Sequence, residues 1–144
     1  MNKLFRFSLV PVVALMMNWA SSSHAQVKAV KSNKDLIDRG RYIVEDQVMC
    51  EQCHTPRNPD GTPDREHWLM GGPTQLRPTY SSPDWAVICP RIAGTPPGTD
   101  AEIIRLLTTG IARTGRAPRP PMLQFHMTRE DAQAVLAYLK SLPH

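Results

Sequence analysis

The sequence predicts an all-α fold: three main helices joined by long, proline-rich loops. Three observations lead there. Helical periodicity with a capping residue recurs at three places, from Ser32, Thr99 and Thr128 onward. Between the first and second lie residues 55–98, which hold nine of the fourteen prolines and admit no long regular element. Just ahead of that stretch stands Cys50-Glu51-Gln52-Cys53-His54, a cluster able to organise loops that backbone pairing does not.

The chain has 144 residues, enough for one domain and too few for two ordinary ones. Lys3 and Arg6 precede a mainly apolar run from Phe7 to Ala20, followed by Ser21-Ser22-Ser23-His24-Ala25. Residues 1–25 therefore read as a secretory signal peptide cleaved after Ala25. The run is broken by Ser8, Pro11 and Asn18 and falls short of the roughly 20 residues a spanning helix needs. No later stretch qualifies, so no transmembrane segment is expected after cleavage. The formal net charge is +4, and without Lys3 and Arg6 there remain 15 basic against 13 acidic residues. That is too weak for nucleic acid, which needs a basic stripe.

Residues 26–34 read as a flexible lead-in to a domain over 35–144. Ser32 is placed to cap the first helix, with Asp35 at the third helical position. Leu36, Ile37, Ile43, Val44 and Val48 then recur near a 3.6-residue period, with Gly40 on the same stripe. A glycine inside a helix costs about 1 kcal/mol against alanine, so its place on the apolar face predicts close approach of another helix; a tolerated or helix-breaking glycine is the alternative. The helix is expected to end at Val48 or Met49 and to deliver Cys50.

Cys50 to His54 is C-x-x-C-H, the pattern of covalent haem attachment. Two thiols at that spacing can each add to a haem vinyl group, and the adjacent imidazole is then held against the iron. The chain's own composition yields the pattern by chance with probability about 0.002. Export fits it, because c-type haem is attached outside the cytoplasm. Two cysteines are consumed, leaving Cys89, which reads as a small buried hydrophobe or as a thiol that pairs with another chain.

More than forty residues without regular structure count against a compact domain unless something else orders them, and a buried haem does so. Trp68, Leu69, Met70, Trp85, Val87, Ile88 and Ile92 are candidates to wall it or to fill the core. Thr99-Asp100-Ala101-Glu102 opens the second helix, through Ile103, Ile104, Leu106 and Leu107 to a stop at Gly110. A basic proline-rich loop with Arg113, Arg116 and Arg119 leads to Met122. Thr128 caps the last helix, with Ala132, Val135, Leu136 and Leu139 on one face and Pro143 ending it.

His54 is expected to bind iron through Nε2 while its other ring nitrogen finds an acceptor. Met122 is chosen for the sixth position, since a thioether suits iron in both redox states and the flanking prolines stiffen its approach. Met127, Met70, His126 and His67 compete for that role. A closed His/Met site moves electrons rather than bonds, and Arg113, Arg116 and Arg119 could steer an acidic partner or simply be solvated.

The segments Gly40-Arg41-Tyr42, Cys50 through Arg57, Pro90-Arg91-Ile92-Ala93-Gly94, Arg119-Pro120-Pro121-Met122 and Asp131 through Leu142 together resemble bacterial class I, mono-haem c-type cytochromes. The resemblance implies the cytochrome c fold around one covalently attached haem c, with the first and last helices crossing beside it at Gly40 and Tyr138 in the last helix. It also implies His54 as proximal ligand, Met122 as distal ligand, and Pro90 as the carbonyl receiving the His54 ring N–H. The expected function is periplasmic electron transfer without catalysis, as a soluble carrier or as the electron-accepting cytochrome subunit of a dehydrogenase complex, with a dehydrogenase subunit or terminal oxidase as redox partner. The alternative is a haem c protein with an open or exchangeable sixth position, acting as sensor or enzyme. A zinc module using Cys50, Cys53, Cys89 and a histidine is the third reading; it gives export and Met122 no purpose. No nucleophilic triad, phosphate loop or paired catalytic carboxylates rise above chance.

Overall fold

Ser32 opens helix α1 (Asn33–Tyr42) with a closed capping box: its hydroxyl accepts from the Asp35 N–H at 3.1 Å, and the Asp35 carboxylate accepts from the Ser32 N–H at 3.0 Å. The computed structural model describes residues 32–143. The expected leader, 1–25, and residues 26–31 of the expected lead-in lie outside the described residues. The helix starts directly after Ser32, with Asp35 at its third position, as the sequence leads one to expect.

The last turn of this helical run, Ile43–Gln47, is a π turn, and the Val48 N–H returns to the Ile43 carbonyl at 2.9 Å. Met49 then takes a left-handed conformation, φ 53°, which redirects the chain into a short helix, α2 (Glu51–His54). The run thus ends where its periodicity stops, but in a wider turn than an α-helix.

Helix α3 (Asp100–Thr109) has the expected box between Thr99 and Glu102 and ends on left-handed Gly110, φ 68°. Helix α4 (Arg129–Ser141) is capped by Thr128, whose hydroxyl accepts from the Asp131 N–H at 3.1 Å. Helices α1 and α4 cross at Gly40. A Cβ there would fall on the Ala134 carbonyl oxygen, 2.6 Å from its carbon and 2.7 Å from Tyr138 Cβ, so only hydrogen fits. Arg39 and Asp131 bridge the same pair of helices at 2.9 Å, and the Tyr138 hydroxyl donates to Glu45 beside the crossing. The core gathers Ile43 and Val44 from the π turn, Ile103 and Leu107 from α3, and Val135, Leu136 and Leu139 from α4.

Residues 55–98 carry almost no regular structure. One two-residue antiparallel ladder, β1 (Gly72–Pro73) with β2 (Ile88–Cys89), pairs Gly72 with Cys89. Elsewhere the segment is tied by single hydrogen bonds, several of them around Leu69, which is fully buried and left-handed at φ 57°. Its N–H donates to the Thr55 hydroxyl at 3.0 Å, and its carbonyl accepts from the Ile92 and Ala93 N–H groups at 2.9 and 3.1 Å. The fold is all-α. Among the described residues, no helix is long and apolar enough to cross a membrane.

Candidate haem site

The short helix α2 presents Cys50, Cys53 and His54 to one cavity of about 500 Å³, within the roughly 300–1,000 Å³ of ordinary cofactor pockets. Its lining is mostly apolar: Val48, Ile92, Ile103, Leu106, Leu107, Pro118, Phe125, Val135 and Leu139 among others. A flat apolar macrocycle held by two thioethers fits such a space, and a hydrated ion does not.

His54 is buried, and its Nδ1 lies 2.7 Å from the Pro90 carbonyl oxygen. A carbonyl only accepts, so Nδ1 carries the proton and Nε2 keeps a lone pair for a metal. Burial pushes the His54 pKa below its ordinary value, against the opposing pull of the Pro90 carbonyl, and keeps the ring neutral. Gly71 makes this contact possible. It is left-handed, φ 80°, and a Cβ there would lie 2.6 Å from the Arg91 nitrogen and the Cys89 oxygen and 2.7 Å from the Pro90 carbonyl carbon. Its N–H donates to the His54 carbonyl at 2.7 Å, so the same glycine holds both sides of the His54–Pro90 pair.

Burial first, and the neighbouring Glu51 carboxylate second, push the Cys50 thiol up to about 12. Cys50 is therefore a thiol at neutral pH. Cys89 is buried, and desolvation raises its pKa as well. Among the described residues, no three His, Cys, Asp or Glu side chains converge to hold a metal ion.

Met122 lines the cavity that His54 lines; Met127, Met70, His126 and His67 do not. Met127 and Met70 pack against the core, His126 is exposed, and His67 pairs with Asp64 at 2.7 Å. Met122 follows a cis Pro120–Pro121 bond and closes a turn by donating its N–H to the Arg119 carbonyl at 3.2 Å.

Of the loop residues expected to wall the cavity, Ile88 and Ile92 do so. Trp68, Leu69 and Met70 instead belong to or pack against the helical core, and Val87 is 69% exposed. Helix α3, which the sequence marked only as an amphipathic helix, supplies Ile103, Leu106 and Leu107 in their place. Thr55 and Gly71 went unmarked because their partners lie across the fold. Glu51 is buried in the middle of the attachment motif, with Oε1 accepting from Gln52 Nε2 at 3.1 Å.

Residues 37–143 match the family model for cytochrome c. The chain belongs to the cytochrome c family. Its cytochrome c domain is one of electron transfer rather than catalysis, and haem c is the cofactor that membership implies. Over 114 residues it is 33% identical to a diheme cytochrome c-type protein of Cereibacter sphaeroides, covering 74% of this chain and 35% of that one. Over 123 residues it is 28% identical to the fructose dehydrogenase cytochrome subunit of Gluconobacter japonicus, covering 78% of this chain and 23% of the subunit. The chain therefore spans about a third and a quarter of these two relatives.

Proposed function

We propose that this cytochrome transfers single electrons through one haem c, attached at Cys50 and Cys53, with His54 and Met122 as axial ligands. When bound, the haem supplies an iron that cycles between ferric and ferrous states. The protein's own groups do the rest. Pro90 fixes the tautomer and the plane of His54, the apolar lining excludes water, and the Met122 turn offers a soft sulfur that tolerates both oxidation states. The observation that carries this reading is the single cavity shared by both cysteines, His54 and, of the five sixth-ligand candidates, Met122 alone.

The setting we propose is the periplasm, reached through the leader at residues 1–25. There the protein acts as a soluble carrier or as the cytochrome subunit of a dehydrogenase complex. Likeness to a fructose dehydrogenase cytochrome subunit supports a dehydrogenase as electron donor. One C-x-x-C-H in the sequence supports one haem per chain.

The test is the spectrum of the oxidised holoprotein beside that of Met122→Ala, with haem quantified against protein. The wild type is expected to show a methionine–iron charge-transfer band at the red end and one haem per chain. Met122→Ala is expected to lose the band, bind carbon monoxide when reduced, and fall in potential. A wild type that lacks the band and binds carbon monoxide readily would support the open-site alternative instead.

A further inference from the structure

The loop that carries Met122 has few backbone donors. Pro118, Pro120 and Pro121 have no N–H, and the Met122 N–H is used inside its own turn. A loop so depleted cannot pair with a neighbour as a strand does. It is nevertheless fastened, and mostly by one side chain. Arg119 donates from Nε to the Asp84 carbonyl at 3.0 Å and from Nη2 to the Trp85 carbonyl at 3.1 Å. Beside them the Ala86 N–H donates to the Pro120 carbonyl at 2.6 Å. Among the described residues these three are the hydrogen bonds between the segments 74–91 and 112–125.

We propose that Arg119 is a positioning residue: its guanidinium latches the Met122 turn onto residues 84–86, the segment that runs directly into β2 and Pro90. The proposal rests on Met122 being an iron ligand. A continuous hydrogen-bonded frame follows from it. His54 donates to Pro90, β2 pairs with β1, the Thr74 N–H donates to Val87 at 3.0 Å, Ala86 and Arg119 tie this segment to Pro120, and Met122 bonds back to Arg119. The two axial side chains are thereby held by one frame rather than by two independent loops. Arginine suits the task because its planar fork reaches two successive carbonyls at once, which a lysine ammonium cannot do with the same geometry.

The distal methionine competes with any added ligand for the same position, so loosening its loop raises the apparent affinity of the competitor. The experiment is imidazole titration of the ferric holoprotein in wild type, Arg119→Gln, Arg119→Lys and Arg116→Gln, with the charge-transfer band and thermal midpoint read on each. Arg116 is exposed in the same basic loop and serves as a charge control. Both Arg119 variants are expected to bind imidazole about three- to tenfold more tightly, at nearly unchanged thermal midpoint, while Arg116→Gln follows wild type. Wild-type affinity in both Arg119 variants, with the band intact, overturns the latch alone. So does an equal rise in Arg116→Gln, which assigns the effect to charge. Absence of a Met122-dependent band in the wild type overturns the ligand reading beneath it.

Discussion

Leu69 shows how much of this site depends on single polar contacts. It is fully buried in a left-handed conformation that costs a residue with a Cβ about 1–2 kcal/mol. What holds it is the pairing of its N–H with the Thr55 hydroxyl and of its carbonyl with Ile92 and Ala93, two residues beyond Pro90. Thr55 directly follows His54 and is 3% exposed, so removing its oxygen would leave a buried N–H with no acceptor. Thr55→Val, which preserves shape, is expected to cost about 1–3 kcal/mol in denaturant unfolding of the holoprotein, and Thr55→Ser much less. A larger loss in Thr55→Ser than in Thr55→Val would place the effect in methyl packing instead. Nothing local in the sequence marks Thr55, because its partner lies fourteen residues away across a loop.

At the scale of the elements, the crossing of α1 and α4 is the contact with least tolerance. Gly40→Ala gains roughly 1 kcal/mol of helix propensity, yet its methyl would meet the Ala134 backbone, which cannot rotate aside as a side chain does. The expected net loss is about 1–3 kcal/mol, read as a lower unfolding midpoint by circular dichroism; a neutral or stabilising result would mean that the helices separate freely. This crossing, and the starts of all three main helices, were legible in the sequence for a common reason. Caps close within four residues, and a glycine on an apolar stripe declares its need for space locally. The π turn, the left-handed Met49 and the seating of Gly71 under Cys89–Arg91 were not legible. Each is set by where the chain must next deliver a side chain, and that destination is tertiary. The walls of the cavity failed the same way: hydrophobic loop residues and hydrophobic helix faces look alike until packing assigns one to the core and the other to the cofactor.

Across the whole molecule, the mouth of the cavity carries an excess of one charge. Besides His54 and the three cysteines, the charged or titratable residues in its lining are Arg113, Arg119 and Glu102, and Arg91 and Arg116, both exposed, lie between lining residues in sequence. Without Lys3 and Arg6 the chain keeps 15 basic against 13 acidic residues, so the general field and the local one have the same sign. Such a rim attracts anions over about 30 Å at 10 mM ionic strength and over about 10 Å at 0.1 M. Electron exchange with small complexes of opposite charge exposes this without knowledge of the physiological partner. Oxidation of the ferrous protein by hexacyanoferrate(III) is expected to slow several-fold as ionic strength rises from about 10 mM to 0.5 M, and oxidation by a cationic cobalt complex to quicken. Arg113→Glu changes the rim by two charge units and is expected to slow the anionic reaction by about two- to fivefold at low salt only. Because Arg113 makes none of the Met122-turn contacts, the charge-transfer band is expected to stay at its wild-type position, while the added negative charge in the cavity lining lowers the potential. Salt dependences of the same sign for both oxidants would show that electrons leave the protein away from this rim.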